Sequence, residues 1–216
     1  MMKKIIFDMD GVLVDSEYTY LQSKTDILHE QGFMKDISYQ YQFMGTTYDF
    51  MWQTMKDELG LPDSVETYID KMNRYRQAMI ERDGVRAIKN SVELVDELGK
   101  RGYQMAVASS SPKLEIMRNL RQLGITSQFA HLVSGEEVAR SKPNPDIFEK
   151  AAHLLQAPSS ECIVIEDTRN GVLAAKAAGM YTIGFANPDY PKQDLSKADI
   201  IVTDMMDALT IITEAK

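Results

Sequence analysis

Two carboxylates stand two residues apart in Asp8-Met9-Asp10-Gly11. At the end of a strand such a pair can face one cavity, one acid serving as nucleophile and the other as proton donor and acceptor. That division needs opposite protonation states, and mutual repulsion pushes the two pKa values apart. A polar turn accounts for most isolated Asp-x-Asp-Gly sequences. Here the pair follows the apolar run Ile5-Ile6-Phe7 and precedes Val12-Leu13-Val14-Asp15, which favours the chemical reading. A second acidic pair, Glu166-Asp167, closes the run Ile163-Val164-Ile165. Acids there need a partner or a metal. Together with Asp8 they make an all-oxygen set suited to Mg²⁺, with waters completing its octahedron. Capping of the next helix by Asp167 or Thr168 is the simpler use, but it leaves Glu166 unexplained.

Ser109-Ser110-Ser111 follows an apolar run and precedes a helical pattern. Hydroxyls and N–H groups at such a start form an anion site. Ser111 suffices as helix cap, which leaves Ser109 and Ser110 for a phosphate. Lys142 lies in Ser141-Lys142-Pro143-Asn144-Pro145-Asp146, where the prolines stiffen the backbone and let the ammonium be aimed. It could neutralise a phosphate or orient Asp8. His29, His131 and His153 have no partner at a recognisable spacing, and Cys162 reads as a small buried residue.

Three textures must position these groups. Lys3-Lys4-Ile5-Ile6-Phe7 reads as a buried strand. Residues 16–87 hold seven of the ten tyrosines and the only tryptophan, Trp52, with helical spacings at Leu21, Ile27 and Leu28 and again at Met51, Met55 and Leu59. Gly32, Gly45, Gly60 and Gly84 punctuate them, which predicts an insert of about four helices. From residue 88 onward, strands alternate with helices. Strands are predicted at 104–109, 130–134, 161–165, 181–185 and 200–202. Helices are predicted to open at Ser111-Pro112 and at Asn144-Pro145, and an alanine-rich one runs to Gly179. The pattern is α/β: a doubly wound parallel-sheet (Rossmann-like) core of residues 1–15 and 88–216, with residues 16–87 inserted after the first strand. Such sheets bind ligands at the carboxyl ends of their strands. Asp8, Asp10, Ser109, Glu166 and Asp167 all fall there.

The 216 residues are 44% apolar and 26% charged, a globular composition for a core with a smaller insert. No apolar run approaches a bilayer span. Asp8 and Asp10 interrupt the first apolar run too early for a signal peptide. A single cysteine excludes an internal disulfide framework and a cysteine-based zinc cluster, and a cytoplasmic address is expected. The net charge of −8 argues against nucleic acid. It leaves room for a small anion, because a lysine or bound cation inverts the field locally.

Asp8-Met9-Asp10-Gly11-Val12-Leu13-Val14-Asp15-Ser16, Val107-Ala108-Ser109-Ser110, Ser141-Lys142-Pro143-Asn144-Pro145-Asp146 and Ile165-Glu166-Asp167 occur in this order. The chain thereby resembles the haloacid dehalogenase-like hydrolases, in the branch of β-phosphoglucomutases and sugar-phosphate phosphatases. Residues 16–87 stand where that family carries its helical cap domain. The resemblance implies that Asp8 forms an aspartyl-phosphate and that Asp10 protonates the leaving oxygen and then activates water. It implies Mg²⁺ on Asp8, the Asp10 carbonyl and Asp167, with Glu166 acting through water, and Ser109 and Lys142 on the phosphoryl group. The cap would close over the site, exclude water and choose the substrate.

The mutase's cap histidine, arginine and lysine align with Tyr20, Tyr48 and Arg76. Two lost cations favour a phosphatase, with a sugar-phosphate mutase as the alternative. The family's Pro-Gly before the first core helix is replaced by Lys89-Asn90. A dehalogenase does not need Asp10, Glu166 or Asp167. A phosphonate hydrolase needs a cap lysine, and Lys24, Lys56 and Lys71 carry no special mark. A non-catalytic binding protein on the same fold leaves the intact acids unexplained. Tyr18, Tyr20, Tyr48, Trp52, Tyr75 and Arg76 either line the cap's substrate side or form its own core.

Overall fold

The computed structural model describes residues 4–44 and 46–214. Met1 to Lys3 of the first apolar run, and Gly45, lie outside the described residues. The chain divides into two units, Met1–Asp15 with Val85–Lys216, and Ser16–Gly84. The expected boundary at 88 moves to 85, because residues 86–88 are tied to the first unit. Asp15 N donates to Arg86 O, Ile88 N donates to Leu13 O, and Val14 bridges Ala87.

The first unit is a six-stranded parallel sheet in the order β3-β2-β1-β4-β5-β6. The strands are β1 (Lys4–Phe7), β2 (Gln104–Ser109), β3 (Phe129–Ser134), β4 (Cys162–Glu166), β5 (Tyr181–Phe185) and β6 (Ile200–Val202). β3 begins one residue earlier than predicted. β4 is displaced by one, because Glu161 ends a 3₁₀ turn over Ser159–Glu161. Buried on both faces, the central strands read as continuous apolar runs, and side-chain alternation splits them between two cores. Ile5, Phe7, Met105, Val107, Ile163 and Ile165 pack with helices α4 (Ser91–Lys100), α5 (Lys113–Gln122) and α8 (Met205–Glu214). Ile6, Ala106, Ala108, Cys162 and Val164 pack with α6 (Asp146–Leu154) and α7 (Arg169–Ala177). Helices on both faces make the sheet doubly wound.

Two predicted caps fail. α5 starts at Lys113 after Pro112, without a side-chain cap, so Ser111 does not cap it. α6 starts at Asp146, and the Asn144 amide donates to the Ser141 carbonyl instead.

The second unit is all helical: α1 (Glu17–Glu30), α2 (Tyr48–Leu59) and α3 (Val65–Asp83), with a 3₁₀ segment over Ile37–Phe43 in place of a fourth α-helix. Its core gathers Ile27, Leu28, Phe43, Met51, Trp52, Met55, Leu61, Tyr68 and Met72. Trp52 is wholly buried and stacks on Tyr68 at 5.1 Å, so it packs this core and does not line a binding surface.

Ile163 is fully buried in β4, between β1 and β5. Ile163→Ala is expected to lower the unfolding free energy by about 2–5 kcal/mol, through lost transfer energy and the cavity left behind. A urea titration should show a lower midpoint at unchanged slope.

Candidate active site

The strand order reverses at β1, which has β2 on one side and β4 on the other, and such a switch point opens a crevice at the carboxyl ends. Phe7 pairs with Ile165 in β4 and with Val107 in β2. Asp8, the next residue, therefore stands beside Glu166, the last residue of β4, and near Ser109, the last of β2. Asp8 N continues the ladder to Ile165 O at 3.0 Å. The chain then turns tightly, with Leu13 N and Val14 N both donating to Met9 O and Gly11 N to Val14 O. Gly11 takes φ +78°, and a Cβ there would stand 2.1 Å from Asp167 Oδ2. Glycine thus supplies both the left-handed backbone and the room for Asp167.

Lys142 Nζ lies 2.5 Å from Asp8 Oδ1, 2.7 Å from Glu166 Oε1 and 3.2 Å from Ala108 O, so all three of its protons have acceptors. It also sits 4.9 Å from the centre of the Phe148 ring. Glu166 is 1% exposed, and its other oxygen, Oε2, accepts from Thr168 N and Thr168 Oγ1. Thr168 in turn caps α7 by accepting from Gly171 N. A Cβ on Gly171 would lie 1.6 Å from Glu166 Oε1, so this carboxylate fits only against glycine. Thr168 is therefore the helix cap, and Glu166 is the carboxylate that clamps Lys142.

Burial pushes the Asp8 carboxyl up to about 8, with Glu166 and Asp10 adding to the rise and Lys142 opposing it. Burial also disfavours the charge on Lys142, but Asp8 and Glu166 outweigh it and hold the ammonium protonated well above the ordinary lysine value. The cluster holds three carboxylates against one ammonium.

Asp10 is fixed from the end of β2 and the turn after it: Ser111 Oγ donates to its Oδ2 at 2.6 Å and Ser109 Oγ at 3.4 Å. Ser109 Oγ also accepts from Ser111 N at 3.1 Å. The structure thus gathers Asp8, Asp10, Ser109, Lys142 and Glu166, with Asp167 against the Gly11 turn. Ser110 is exposed and joins none of these bonds. For Ser111 the sequence suggests only a cap. Its partner lies 101 residues away, and no local pattern signals that bond.

Among the described residues, no three His, Cys, Asp or Glu side chains form a ready-made metal cage. Of the expected set of Asp8, Asp10, Glu166 and Asp167, Glu166 has both oxygens hydrogen-bonded within the chain, to Lys142 and to Thr168. What fits a small divalent cation is the chemistry of the donors. Asp8 Oδ2 is not taken by Lys142, the Asp10 carbonyl stands in the same turn, and Gly11 lets Asp167 close on that turn. All are hard oxygens, and a cation that keeps several waters needs only a few of them.

In the helical unit, three expected substrate residues meet. Tyr48 OH donates to Tyr20 OH at 2.6 Å, and the Arg76 guanidinium lies 3.2 Å from the Tyr20 ring centre. Arg76 Nε also donates to Thr19 Oγ1. One turn along α1 from Tyr20 is Lys24, which is 5% exposed.

The sequence matches the family model described as haloacid dehalogenase-like hydrolase over residues 5–185, and the chain belongs to this family. It is 28% identical to a phosphorylated carbohydrates phosphatase of Thermotoga maritima over 187 residues, 84% of each chain. It is 35% identical to Protein SUPPRESSOR OF QUENCHING 1, chloroplastic, of Arabidopsis thaliana over 83% of this chain. The chain spans only 17% of that plant protein's length. The crystal structure of a HAD family hydrolase from Deinococcus radiodurans R1, with bound phosphate and sodium, superposes with a TM-score of 0.87 at 28% identity, covering 99% of this chain and 96% of that one. No helix among the described residues is long and apolar enough to cross a membrane.

Lys24 yields a stability prediction. Burial lowers its pKa to about 8, with Glu17 opposing and Arg76 assisting. Between pH 8 and the ordinary lysine value of about 10.4, the unfolded chain binds more protons than the folded one, so stability should rise with pH. Lys24→Met should abolish that rise and stabilise the protein at pH 7 by on the order of 1–3 kcal/mol, read from urea unfolding at pH 7 and pH 9.5.

Proposed function

We propose that this haloacid dehalogenase-like phosphatase hydrolyses a small phosphorylated metabolite, a sugar phosphate, with Mg²⁺ and through an aspartyl-phosphate on Asp8. The observation that carries the reading is the Lys142 ammonium held between Asp8 and Glu166 at the switch point of the sheet, with Asp10 two residues on. Asp8 attacks phosphorus as the bond to the leaving oxygen breaks, and Asp10 gives that oxygen its proton. Asp10 then takes a proton from water as the water oxygen attacks phosphorus. The acyl phosphate breaks, releasing inorganic phosphate and the Asp8 carboxylate. Lys142, Ser109 and Ser110 bind the transferring phosphoryl oxygens. When bound, Mg²⁺ supplies further positive charge at those oxygens, held by Asp8, the Asp10 carbonyl and Asp167, with Glu166 acting through water. In-line positioning and charge neutralisation are what phosphoryl transfer chiefly requires.

We infer that Tyr20, Tyr48 and Arg76 are the substrate residues of the helical unit. Aromatic faces, hydroxyls and one cation suit a sugar. The phosphorylated carbohydrates named for the Thermotoga relative support this class. The protein acts in the cytoplasm, as its single thiol, Cys162, suggests. A sugar-phosphate mutase is the second reading, favoured by the cation kept at Arg76.

The test is phosphate release from a panel of sugar phosphates and other small phosphate monoesters, with Mg²⁺ and with a chelator. Release should require Mg²⁺. Asp8→Asn should reduce it by ~10³-fold or more without loss of folded structure by circular dichroism, since it removes the nucleophile at nearly constant volume. Retention of Mg²⁺-dependent release by Asp8→Asn would overturn the mechanism. Isomerised sugar phosphate without phosphate release would establish the mutase.

A further inference from the structure

Ser111 stands where its neighbours Pro112 and Lys113 suggest a helix cap, but its hydroxyl makes no cap bond. It donates to Asp10 Oδ2 at 2.6 Å. The backbone of Ser111 is itself pinned on both sides. Its N–H donates to Ser109 Oγ at 3.1 Å, and its carbonyl accepts from Ser134 Oγ at 2.7 Å. Ser109 and Ser134 are fully buried and paired with each other at the carboxyl ends of β2 and β3. The Ser111 hydroxyl is thus mounted on the sheet. Both hydroxyls that reach Asp10 go to the same oxygen, since Ser109 Oγ stands 3.4 Å from Oδ2. No described side chain donates to Oδ1.

We propose that Ser111 is a positioning residue that fixes the rotation of the Asp10 carboxyl: it engages Oδ2 and reserves Oδ1 for the proton that passes to the leaving oxygen and is later taken from water. The inference rests on the phosphatase reading above and deepens it. A carboxyl turns about its Cβ–Cγ bond, and each turn exchanges its two oxygens. A general acid works only when the protonated oxygen faces the atom it serves. With Oδ2 held by Ser111, the proton resides on the oxygen left for the substrate. In the first step that proton goes from Oδ1 to the alcohol oxygen as its bond to phosphorus breaks and the Asp8–phosphorus bond forms. In the second, Oδ1 receives a proton from water as the new P–O bond forms and the Asp8–phosphorus bond breaks. Without Ser111 the carboxyl keeps its charge and its place in the chain but loses this orientation.

The experiment compares kcat/KM for p-nitrophenyl phosphate and phenyl phosphate, two esters of similar shape. The p-nitrophenolate leaves readily without a proton, whereas phenolate depends on one. In Ser111→Ala, kcat/KM should fall on both esters and fall further on phenyl phosphate, so that the ratio of the two values rises about tenfold or more. Ser111→Thr, which keeps the hydroxyl, should hold the ratio within about twofold of wild type. Should Ser111→Ala fail to fold, Ser111→Cys takes its place, since a thiol of similar size is a weak donor and should raise the ratio in the same sense. An equal loss on both esters, or none, overturns the positioning role and leaves the phosphatase reading standing, because a merely structural defect does not distinguish leaving groups. Wild-type protein inert to both esters while active on the panel's sugar phosphates moves the comparison to two of those active esters with unlike leaving groups, judged by the same ratio. Inertness to every ester overturns the phosphatase reading and this inference with it.

Discussion

A single buried ammonium organises the first unit. Lys142 contacts carboxylates that end two adjacent strands, and each of the three groups is at most 8% exposed at its side chain. Ions taken this far from water are tolerable only when paired and hydrogen-bonded in full. Lys142 meets that condition through Asp8, Glu166 and the Ala108 carbonyl, and Glu166 through Lys142 and Thr168. The pairing also explains why neighbouring positions are so constrained. Gly171 must lack a side chain for Glu166 to reach Lys142, and Gly11 must lack one for Asp167 to approach the Asp8–Asp10 turn. One ammonium among Asp8, Asp10 and Glu166 leaves negative charge over. That surplus adds to the rise that burial imposes on Asp8.

The sheet converts distant segments into this one cluster. Asp8, Ser109, Lys142 and Glu166 come from four stretches of chain, and only the parallel pairing of β1 with β2 and β4 places their ends at one level. Side-chain alternation does the rest. Phe7 faces one layer of helices and Ile6 the other, so both faces of the sheet are filled and the carboxyl edge is the place left for polar groups. The acids stand there because burying them beneath helices would leave them without water or partners.

The same causes set how much of the fold and the site is legible in the amino-acid sequence. Strands buried on two faces announce themselves as short apolar runs, so β2, β5 and β6 lie where the sequence places them and β3 and β4 within one residue. Asp8, Asp10, Ser109, Lys142 and Glu166 are legible because acids, hydroxyls and a proline-flanked lysine at strand ends have few structural uses. The departures share a physical origin. Ser-Pro and Asn-Pro are strong local capping signals, yet Ser111 bonds to Asp10 across the sheet and Asn144 bonds back to Ser141. Other partners outcompete the helix end when both are within reach. The 3₁₀ segment at Ile37–Phe43 replaces a helix because helical propensity does not encode the tighter turn. The burial of Lys24 leaves no trace in the sequence for a related reason, since a lysine on a helix is ordinarily solvated and only the packing around α1 makes it otherwise.

The helical unit bears on phosphatase against mutase through its charges. A mutase has to hold two phosphates in turn and keep water from its aspartyl-phosphate, which calls for several cations in the cap. Here Tyr20 and Tyr48, at positions where the resemblance would put histidine and arginine, satisfy each other by a hydroxyl pair at 2.6 Å. A tyrosine pair brings aromatic faces and hydroxyls but no net charge. Arg76 alone keeps its cation in that set, and it lies against the Tyr20 ring, where the guanidinium spends part of its field on a π-face. Lys24 adds a nearby cation, but burial lowers its pKa, and Arg76 lowers it further. Two uncharged hydroxyls at positions where the resemblance would put histidine and arginine leave the helical unit with fewer cations than the mutase pattern calls for.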